Sequence, residues 1–330
     1  MRIDFFAETE GVSGIKIYSR NLLKYLKDQE IGHIMPPDAA KPWLVNRIFL
    51  DFFALRKVDA DIVHLASQDL LSGIVVPEIN NMVVTVHDIF PYLDGYAGPF
   101  YSWMARNYVK NLERNADKVI AISEATKEQL EENTEVETQK IEVVYQGVDL
   151  ELFRPVEEEI DYGEYFLHVG HELDRKNMDG LIKVFEKIKE EKPEAKLVRV
   201  GNKDRTRKLI ENSDIVDSTD VVYEEGIDSD RLVKLYSNAE KLLFPSEAEG
   251  FGRPMIESLA CGTSVVAFDR KPMNEVLPEL MLVEWGDTES FAQKAIEPLE
   301  SPEACREIAG KYSWETTADQ TKEVYKKCLN

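Results

Sequence analysis

The chain has 330 residues, of which 43% are hydrophobic and 31% charged, and its formal net charge is −22. This length exceeds the usual size of a single hydrophobic core, so we expect two domains. The composition is that of a soluble globular protein and argues against disordered or membrane-spanning classes. The negative charge argues against a nucleic-acid partner, because such a protein needs a basic face to bind phosphates.

The N-terminal run Met1-Arg-Ile-Asp-Phe-Phe6 contains charges and is not typical of a signal peptide. No apolar run approaches the about 18 residues of a membrane span. The sequence therefore predicts a cytoplasmic protein. Cys261, Cys305 and Cys328 are widely spaced and odd in number, which predicts free thiols rather than a zinc or redox site.

Short apolar runs rich in Val and Ile alternate with helical patterns along the chain. Because the runs are continuously apolar, they predict strands of parallel sheets that are covered on both faces. In the first half the runs are residues 3–6, 62–65, 82–87, 118–122 and 141–145. In the second half they are residues 165–170, 196–201, 221–223, 242–244 and 264–268. We therefore predict an α/β protein with two doubly wound domains.

A polar, proline-containing stretch separates the two series of strands. We place the N-terminal domain at residues 1–152 and the C-terminal domain at residues 153–311. Residues 312–330 have helical periodicity after a serine and predict a final helix. In open parallel sheets, ligands bind beyond the carboxyl ends of the strands, so functional residues are expected just after the apolar runs.

The first candidate is the loop Gly11-Val-Ser-Gly14, which follows the first strand and precedes a helix. Its backbone N–H groups could face a phosphate. A turn without a ligand is an equally good interpretation. The full Rossmann glycine spacing is absent, and no acidic residue ends the next strand, which disfavours an NAD-dependent oxidoreductase.

His87 and Asp88 end the strand at residues 82–87. A histidine there can donate to a sugar hydroxyl or a developing charge, and an aspartate can orient it. A capped histidine at a strand end is the alternative. His33, His64 and His168 lie inside apolar patterns and are predicted to be structural.

The first half contains two further candidate positions. Ser123 follows the strand at residues 118–122 and is predicted to cap the next helix, with its hydroxyl on the ligand side of the sheet. Asp59 and Asp61 suggest a Mg²⁺ or Mn²⁺ pair. They precede their strand and so lie at the wrong end of the sheet, and we predict no metal.

The loop after the strand at residues 165–170 reads His171-Glu-Leu-Asp-Arg175-Lys176-Asn177. Arg175 offers a bidentate fork and Lys176 a point charge, and both suit a leaving nucleoside diphosphate without a metal. An ordinary solvated loop is the alternative.

The most informative stretch follows the strand at residues 242–244. Glu249 precedes the tight loop Gly250-Phe251-Gly252, and Glu257 lies about one turn into the helix that follows. Both carboxylates can therefore point into one cleft. They can accept paired hydrogen bonds from sugar hydroxyls, and the N–H groups of the loop suit a phosphate. A strand–loop–helix turn with solvated acids is the alternative.

Residues 41–57 and 96–111 combine aromatic and basic side chains, among them Trp103, Arg106 and Lys110. Residues 1–111 hold 11 basic and 13 acidic side chains and are nearly neutral. Such a pattern is typical of an interfacial patch, and we state peripheral membrane contact through the N-terminal domain as a hypothesis. Packing of these residues against the sheet is the alternative.

Nearly the whole chain resembles a retaining glycosyltransferase of family 4, with the GT-B architecture of two Rossmann-like domains facing each other across a cleft. The most specific match is Pro245-Ser-x-x-Glu249-Gly-Phe-Gly-x-Pro254-x-x-Glu257-x-x-Ala260-Cys-Gly262, which is similar to the family's doubled-glutamate signature. Supporting matches are Val83-Val-Thr-Val-His87-Asp88, Ala116-Asp-Lys-Val-Ile-Ala-Ile-Ser123, Gly147-Val-Asp149, and Val169-Gly170 with Arg175-Lys176-Asn177. The tail Ser313-Trp314-Glu315 also resembles the family's last helix, which implies that residues 312–330 cross back to the N-terminal domain.

The resemblance implies a role for each matching residue. Glu257 would bind the nucleotide ribose and Glu249 the hydroxyls of the donor sugar. Lys176, with Arg175, would hold the diphosphate, and His87 would lie beside the reacting sugar. The remaining donor-binding positions would be Gly14, Ser123, His171, Gly250, Phe251 and Gly252. Many family members have arginine where this chain has His171, so the second phosphate cation is either Arg175 or a protonated His171.

The resemblance also implies the reaction. A sugar would pass with retention from a UDP- or GDP-sugar, the only co-substrate, to a glycan or lipid-linked acceptor at the inner face of the membrane. The variants His87-Asp88 and Arg175-Lys176-Asn177 favour GDP-mannose. The alternatives are a sugar-nucleotide epimerase or hydrolase of the same fold and a non-catalytic sugar-nucleotide-binding subunit.

Overall fold

The computed structural model describes residues 1–10, 13–34, 60–71, 78–93, 98–298 and 300–330. The chain forms two compact units, the first made of Met1–Gly147 with Trp314–Asn330 and the second of Val148–Ser313. Each unit contains one six-stranded sheet whose strands pair in parallel. The predicted α/β class with two doubly wound parallel sheets is therefore confirmed.

The sheet of the first unit has the strand order β2-β1-β3-β4-β5-β6. Its strands are β1 (Arg2–Phe6), β2 (Glu30–Ile34), β3 (Ile62–Leu65), β4 (Met82–Val86), β5 (Lys118–Ala121) and β6 (Ile141–Val143). The described helices are Gly14–Tyr25, Pro99–Asn115, Glu124–Asn133 and Trp314–Leu329, with short 3₁₀ turns at Gln68–Leu71 and Thr138–Lys140. Strands β3 and β4 are buried along their whole length, as continuous apolar runs predict.

The last helix, Trp314–Leu329, completes the core of the first unit. Trp314 and Tyr325 are buried in the same apolar cluster as Phe5 of β1 and Val83 of β4. Tyr325 also shares a hydrogen bond of 2.6 Å between its hydroxyl and Nδ1 of His64, and Nε2 of His64 lies 2.8 Å from the hydroxyl of Thr85. Burial of two large aromatic side chains stabilises this docking by about 1.5–3 kcal/mol each.

The sheet of the second unit has the strand order β12-β11-β10-β7-β8-β9. Its strands are β7 (Tyr165–Val169), β8 (Lys196–Val200), β9 (Val221–Glu224), β10 (Leu242–Phe244), β11 (Val265–Phe268) and β12 (Leu282–Val283). The helices are Met178–Glu191, Asp204–Ile210, Ser229–Ser237, Arg253–Ala260, Met273–Val276, Thr288–Ile296 and Pro302–Ala309, with 3₁₀ turns at Asp174–Lys176 and Glu279–Met281.

The strand order of the second unit decides which loops meet. Strand β7 lies between β8 and β10, with Leu167 facing Leu242 across one pairing and Val198 across the other. The carboxyl ends of these three parallel strands therefore lie side by side. The loops that follow them contain the predicted basic residues and the glutamate motif.

Candidate active site

The loop of residues 171–177, called the basic loop below, follows β7 and Gly170. Unusual backbone conformations occur at both of its ends. Gly170 has a φ of 151°, a conformation that side-chain-bearing residues rarely adopt. After the turn Asp174–Lys176, Asn177 takes a left-handed conformation with a φ of 53°. Its side-chain oxygen accepts from the N–H of Gly180 at 3.0 Å, and its amide donates to the carbonyl of Pro245 at 3.1 Å. Asn177 therefore both caps the next helix and ties the basic loop to the segment after β10.

Glu249 receives both predicted cations. Lys176 Nζ lies 2.5 Å from one carboxylate oxygen, and Arg175 Nη1 lies 2.8 Å from the other. Arg175 also donates to the carbonyl of Ala248 at 3.1 Å. Only 6% of Glu249 and 8% of Lys176 are exposed, so the three charges form a nearly buried cluster with one net positive charge.

The environment of Glu249 keeps its carboxyl group ionised. Burial acts to raise the pKa of Glu249, but Lys176 and Arg175 outweigh it and hold this pKa below its usual value. The ammonium of Lys176 also lies 5.1 Å from the centre of the Phe244 ring, a distance typical of a cation–π contact. Both cations lie in the loop that follows β7, at the carboxyl end of the sheet.

Glu257 is held by a separate pair of side chains. The hydroxyl of Tyr236 donates to one carboxylate oxygen at 3.1 Å, and Arg253 Nη2 lies 2.6 Å from the other. Burial, followed by the charge of Glu257, raises the pKa of Tyr236 well above its usual value, so the phenol remains a donor. A carboxylate has about four lone-pair positions, and Glu257 can accept further hydrogen bonds.

The glycine loop sets the start of the helix Arg253–Ala260. Gly252 has a φ of 89°, and a Cβ added there would lie 2.5 Å from Cε of Met255. The helix begins without a side-chain cap and has a proline in its first turn, so its first N–H groups face the loop side and suit an anion. Phe251 is 3% exposed, and its ring packs 5.8 Å from that of Tyr312.

His87 lies in the first unit, directly after β4, and is 6% exposed. Its Nε2 lies 2.9 Å from the carbonyl of Ala66, and the amide of Gln146 lies 3.3 Å from its Nδ1. Because a carbonyl oxygen can only accept, Nε2 of His87 carries a hydrogen and donates a hydrogen bond to the Ala66 carbonyl. The ring also packs edge-on against Tyr18, with centroids 4.8 Å apart.

Gly14 and Ser123 also lie in the first unit. Gly14 begins the helix Gly14–Tyr25, whose cap Ser13 accepts from Lys16 N at 3.4 Å; Gly11 lies outside the described residues. Ser123 caps its helix as predicted, accepting from the N–H of Thr126 at 3.0 Å. A cavity of about 150 Å³ lies between the helix Gly14–Tyr25 and the ends of β1 and β3. Its polar lining is Glu8, Ser13, Lys16, Ser19, Ser67 and Asp69.

Each predicted residue thus has a place. The structure brings Arg175, Lys176 and Glu249 into direct contact, while Glu257 has its own partners in the same unit. His171 is exposed at the start of the basic loop. Gly250, Phe251 and Gly252 form the turn before the helix. The roles that the family resemblance implies for all of them stay predictions.

Sequence reasoning missed several residues that shape the site. Arg253 contacts Glu257, and the spacing of four residues within one helix could have revealed this pair. Tyr236 and Gln146 contact partners that are distant in sequence, so no local pattern pointed to them. Asn177 belongs to the predicted basic loop, but its hydrogen bond to Pro245 was not predicted. The hydrogen bonds of Asn177 also explain why the residue after Lys176 is an asparagine, which tolerates the left-handed conformation.

Other predicted features are only partly covered by the structure. Asp59 and residues 41–57 lie outside the described residues, while Asp61 accepts from the N–H of Arg2 at 2.8 Å. Within the described ranges, no three His, Cys, Asp or Glu side chains gather as a metal site would require, and none of the helices is long and apolar enough to cross a membrane. Cys261, Cys305 and Cys328 are free thiols, as predicted.

Comparison with protein families gives two adjoining matches. The family described as "Glycosyltransferase Family 4" matches residues 13–152, and that described as "Glycosyl transferases group 1" matches residues 151–313. The O-antigen chain mannosyltransferase RfbU of Salmonella typhimurium is 30% identical over 68% of this chain and 62% of that protein. The chain thus spans less than two thirds of this relative. An uncharacterized glycosyltransferase of Methanocaldococcus jannaschii is 25% identical over 95% of this chain and 94% of its own.

Solved structures resemble the chain over nearly its whole length. Sucrose-phosphate synthase from Thermosynechococcus elongatus has a TM-score of 0.77 at 20% identity, covering 99% of this chain and 98% of that one. Anabaena HepE in complex with UDP-glucose has a TM-score of 0.74 at 17% identity, covering 99% of this chain and 100% of its own. At these identities the likeness establishes the fold alone.

Proposed function

Because the chain belongs to the family 4 glycosyltransferases of GT-B fold, we propose that it transfers a sugar from a nucleoside-diphosphate sugar to an acceptor hydroxyl, with retention of configuration. The observation that carries this proposal is the contact of both Lys176 and Arg175 with Glu249. It places two cations and a sugar-binding type of side chain at the carboxyl ends of adjacent strands. That is where parallel sheets bind nucleotides.

The diphosphate is proposed to bind to Lys176 and Arg175. In the absence of donor, Glu249 neutralises part of their charge. The incoming diphosphate takes over these contacts, which leaves Glu249 to accept hydrogen bonds from hydroxyls of the transferred sugar. As the bond to the sugar breaks, negative charge develops on the leaving phosphate, and fixed cations in a site shielded from water stabilise it by several kcal/mol.

The ribose is proposed to bind to Glu257. Tyr236 and Arg253 fix this carboxylate from two sides, which leaves it preorganised to accept from two neighbouring hydroxyls. Since this contact does not involve the reacting bond, Glu257 contributes equally to ground-state and transition-state binding. We expect Glu257→Gln to raise KM for the donor and to change kcat little.

No metal is required in this proposal, because Lys176, Arg175 and the first turn of the helix Arg253–Ala260 supply the positive charge. Transfer activity measured with EDTA should equal that measured with added Mg²⁺ or Mn²⁺. Activity that disappears with EDTA and returns with either ion would contradict this part of the proposal.

For the donor sugar we propose mannose carried by GDP. The support comes from relatives whose names state mannosyl transfer, in Salmonella typhimurium and in Mycolicibacterium hassiacum. Thermal-shift measurements with GDP-mannose, UDP-glucose and an ADP-sugar would decide, because a bound ligand stabilises the folded state by mass action. A larger shift with UDP-glucose than with GDP-mannose would overturn the donor assignment while leaving glycosyl transfer intact.

The acceptor is proposed to be a glycan or a lipid-linked glycan that binds to the first unit beside His87. Nucleotide release should accelerate when a suitable acceptor is added, and the anomeric configuration of the product can be read by NMR. Release that no acceptor accelerates would favour an epimerase or hydrolase. Unchanged transfer by a Lys176→Ala, Glu249→Ala double variant would favour a non-catalytic subunit instead.

Contact with the inner face of the cytoplasmic membrane is part of the same proposal. Along the helix Pro99–Asn115, the exposed side chains Trp103, Arg106, Lys110 and Arg114 recur at helical spacing, which places one aromatic ring and three cations on one face. Vesicles that contain anionic lipid should bind the protein at low salt, and Arg106→Glu with Lys110→Glu should abolish this binding. The same charge change at Lys24 and Lys27, which are also exposed, is the matched control and should weaken it far less.

A further inference from the structure

A fully buried arginine lies beneath the basic loop. Arg199 is on β8 within an apolar run and is 0% exposed, and it pairs across the sheet with His168 of β7. A buried guanidinium is unfavourable unless hydrogen bonds and a counter-charge compensate for its lost hydration. Its partners therefore indicate what the residue is for.

Arg199 contacts His168, through its Nδ1 and its carbonyl oxygen, and the hydroxyl of Thr206. It also contacts the carbonyl groups that follow two strands. Its Nη1 and Nη2 each lie 3.4 Å from the carbonyl oxygen of Gly170, and Nη2 lies 3.2 Å from that of Asn202. The counter-charge is Glu172, whose Oε1 lies 3.7 Å from Nη2. Glu172 in turn accepts from the backbone N–H of Arg205 at 2.7 Å, which fixes it in place.

The contact of Arg199 with the Gly170 carbonyl also determines the direction of the backbone N–H of His171. A peptide unit is planar and trans, so its C=O and N–H point in opposite directions. Because the Gly170 carbonyl points to Arg199, the N–H of His171 points away from Arg199. Among the described residues this N–H has no hydrogen-bond acceptor, and His171 is exposed.

Two glycines make this arrangement possible. Gly201 has a φ of 130°, and a Cβ added there would lie 2.3 Å from the Gly170 carbonyl oxygen. A Cβ added at Gly170 would lie 3.5 Å from Nζ of Lys176. The Lys176 ammonium therefore lies against the same glycine whose carbonyl contacts Arg199, one residue before His171.

We propose that Arg199 positions the Gly170–His171 peptide so that the His171 N–H binds a phosphate oxygen of the donor beside Lys176. This rests on the proposed function, because it assumes a diphosphate at Lys176. Position 171 then contributes through its main chain, and its imidazole is dispensable. Arg199 acts through the peptide and is a positioning residue.

The first test compares His171→Pro, which removes the N–H, with His171→Ala, which keeps it. The probes are GDP and UDP, each measured against its nucleoside alone. For whichever of GDP and UDP the wild type binds more tightly, the affinity of the alanine variant should lie within about twofold of the wild-type affinity. The proline variant should bind this diphosphate about tenfold more weakly, as the loss of one hydrogen bond to a charged group predicts. Nucleoside binding should be unchanged in both.

The second test addresses Arg199. Arg199→Met should lower the preference for diphosphate over nucleoside about tenfold, and Arg199→Lys should restore part of it. Arg207→Met is the matched control, because Arg207 packs over the Tyr223 ring in the same unit, and it should leave the preference unchanged. A merely structural arginine would weaken both probes equally.

The outcomes separate the two levels of the proposal. A wild-type protein that binds neither diphosphate refutes the proposed function itself. Diphosphate binding that His171→Ala weakens as much as His171→Pro assigns the contact to the imidazole and overturns the inference. An unchanged preference in Arg199→Met overturns the positioning role, and if that variant does not fold, the pair at position 171 still decides which group binds phosphate.

Discussion

Replacing Glu249 by glutamine should destabilise the ligand-free protein, because it removes the carboxylate charge that both Lys176 and Arg175 contact. The side chains of Lys176 and Arg175 are 10% and 17% exposed, so water compensates little for the loss. Glutamine has nearly the same shape, and the change therefore tests charge rather than packing.

The magnitude follows from the two short contacts. At an effective dielectric constant of about 20, each ion pair at these distances has a Coulomb attraction of about 6 kcal/mol. Most of it is offset because the variant no longer buries a carboxylate. Breaking a buried pair costs about 3–5 kcal/mol, and we expect about 3 kcal/mol because Arg175 keeps its bond to the Ala248 carbonyl.

The loss should also depend on pH. The pKa of Glu249 in the folded state lies below its usual value near 4.5. Its contribution to stability is therefore complete above that value and declines as the pH falls through the lower, folded-state pKa. The difference between wild type and Glu249→Gln should be largest near neutral pH and should shrink in acid.

Urea unfolding followed by circular dichroism at about pH 7 and about pH 4 would measure both effects. Lys187→Gln, which breaks the exposed pair with Glu289, is a control and should cost under about 1 kcal/mol. A loss below about 1 kcal/mol at neutral pH for Glu249→Gln, or a loss that does not change with pH, would refute the electrostatic reasoning.

Three further predictions concern the surrounding structure. Tyr236→Phe should weaken nucleoside binding about threefold by freeing one side of Glu257, as calorimetry can measure; an unchanged affinity would contradict this. Burial, and to a lesser extent His87, lowers the pKa of His64 to about 3 in the folded state. When the pH falls below the pKa of the unfolded histidine, protonation therefore favours the unfolded state, by up to about 1.4 kcal/mol per pH unit. His64→Gln should flatten the dependence of stability on pH between about 4 and 6, and an equally steep profile would argue against a neutral buried imidazole. Gly201→Ala should lower Tm more than Gly226→Ala. Both glycines have a positive φ, but of the two only Gly201 has a backbone atom so close that an added Cβ would clash with it. Equal losses of Tm would contradict this steric contribution.

Much of the fold could be predicted because its strands are buried on both faces. The runs at residues 62–65, 165–170 and 196–201 correspond within a residue to β3, β7 and β8. The helix after the first strand begins at Gly14, because Ser13 caps it. Strand β12 was not predicted, because it has only two residues, too few to produce a pattern.

The site could be predicted only as far as local sequence reaches. The glycines and glutamates after β10 lie within one short stretch, so their motif was visible. The contact of Glu249 with Lys176 required the adjacency of β7 and β10, which sequence periodicity does not specify. Arg199 gave no signal, since a single cation inside an apolar run looks like an interruption of the strand until its carbonyl partners are known.

The helix Trp314–Leu329 completes the first unit, but it is synthesised after the whole of the second. At about 5–20 residues per second, translation of residues 148–313 takes roughly 10–30 s. During that interval the surfaces that Trp314 and Tyr325 will cover remain open. A nascent chain that stops anywhere within the second unit lacks this helix and cannot complete the core of the first unit. The core of the first unit is therefore completed only after the whole second unit has been translated.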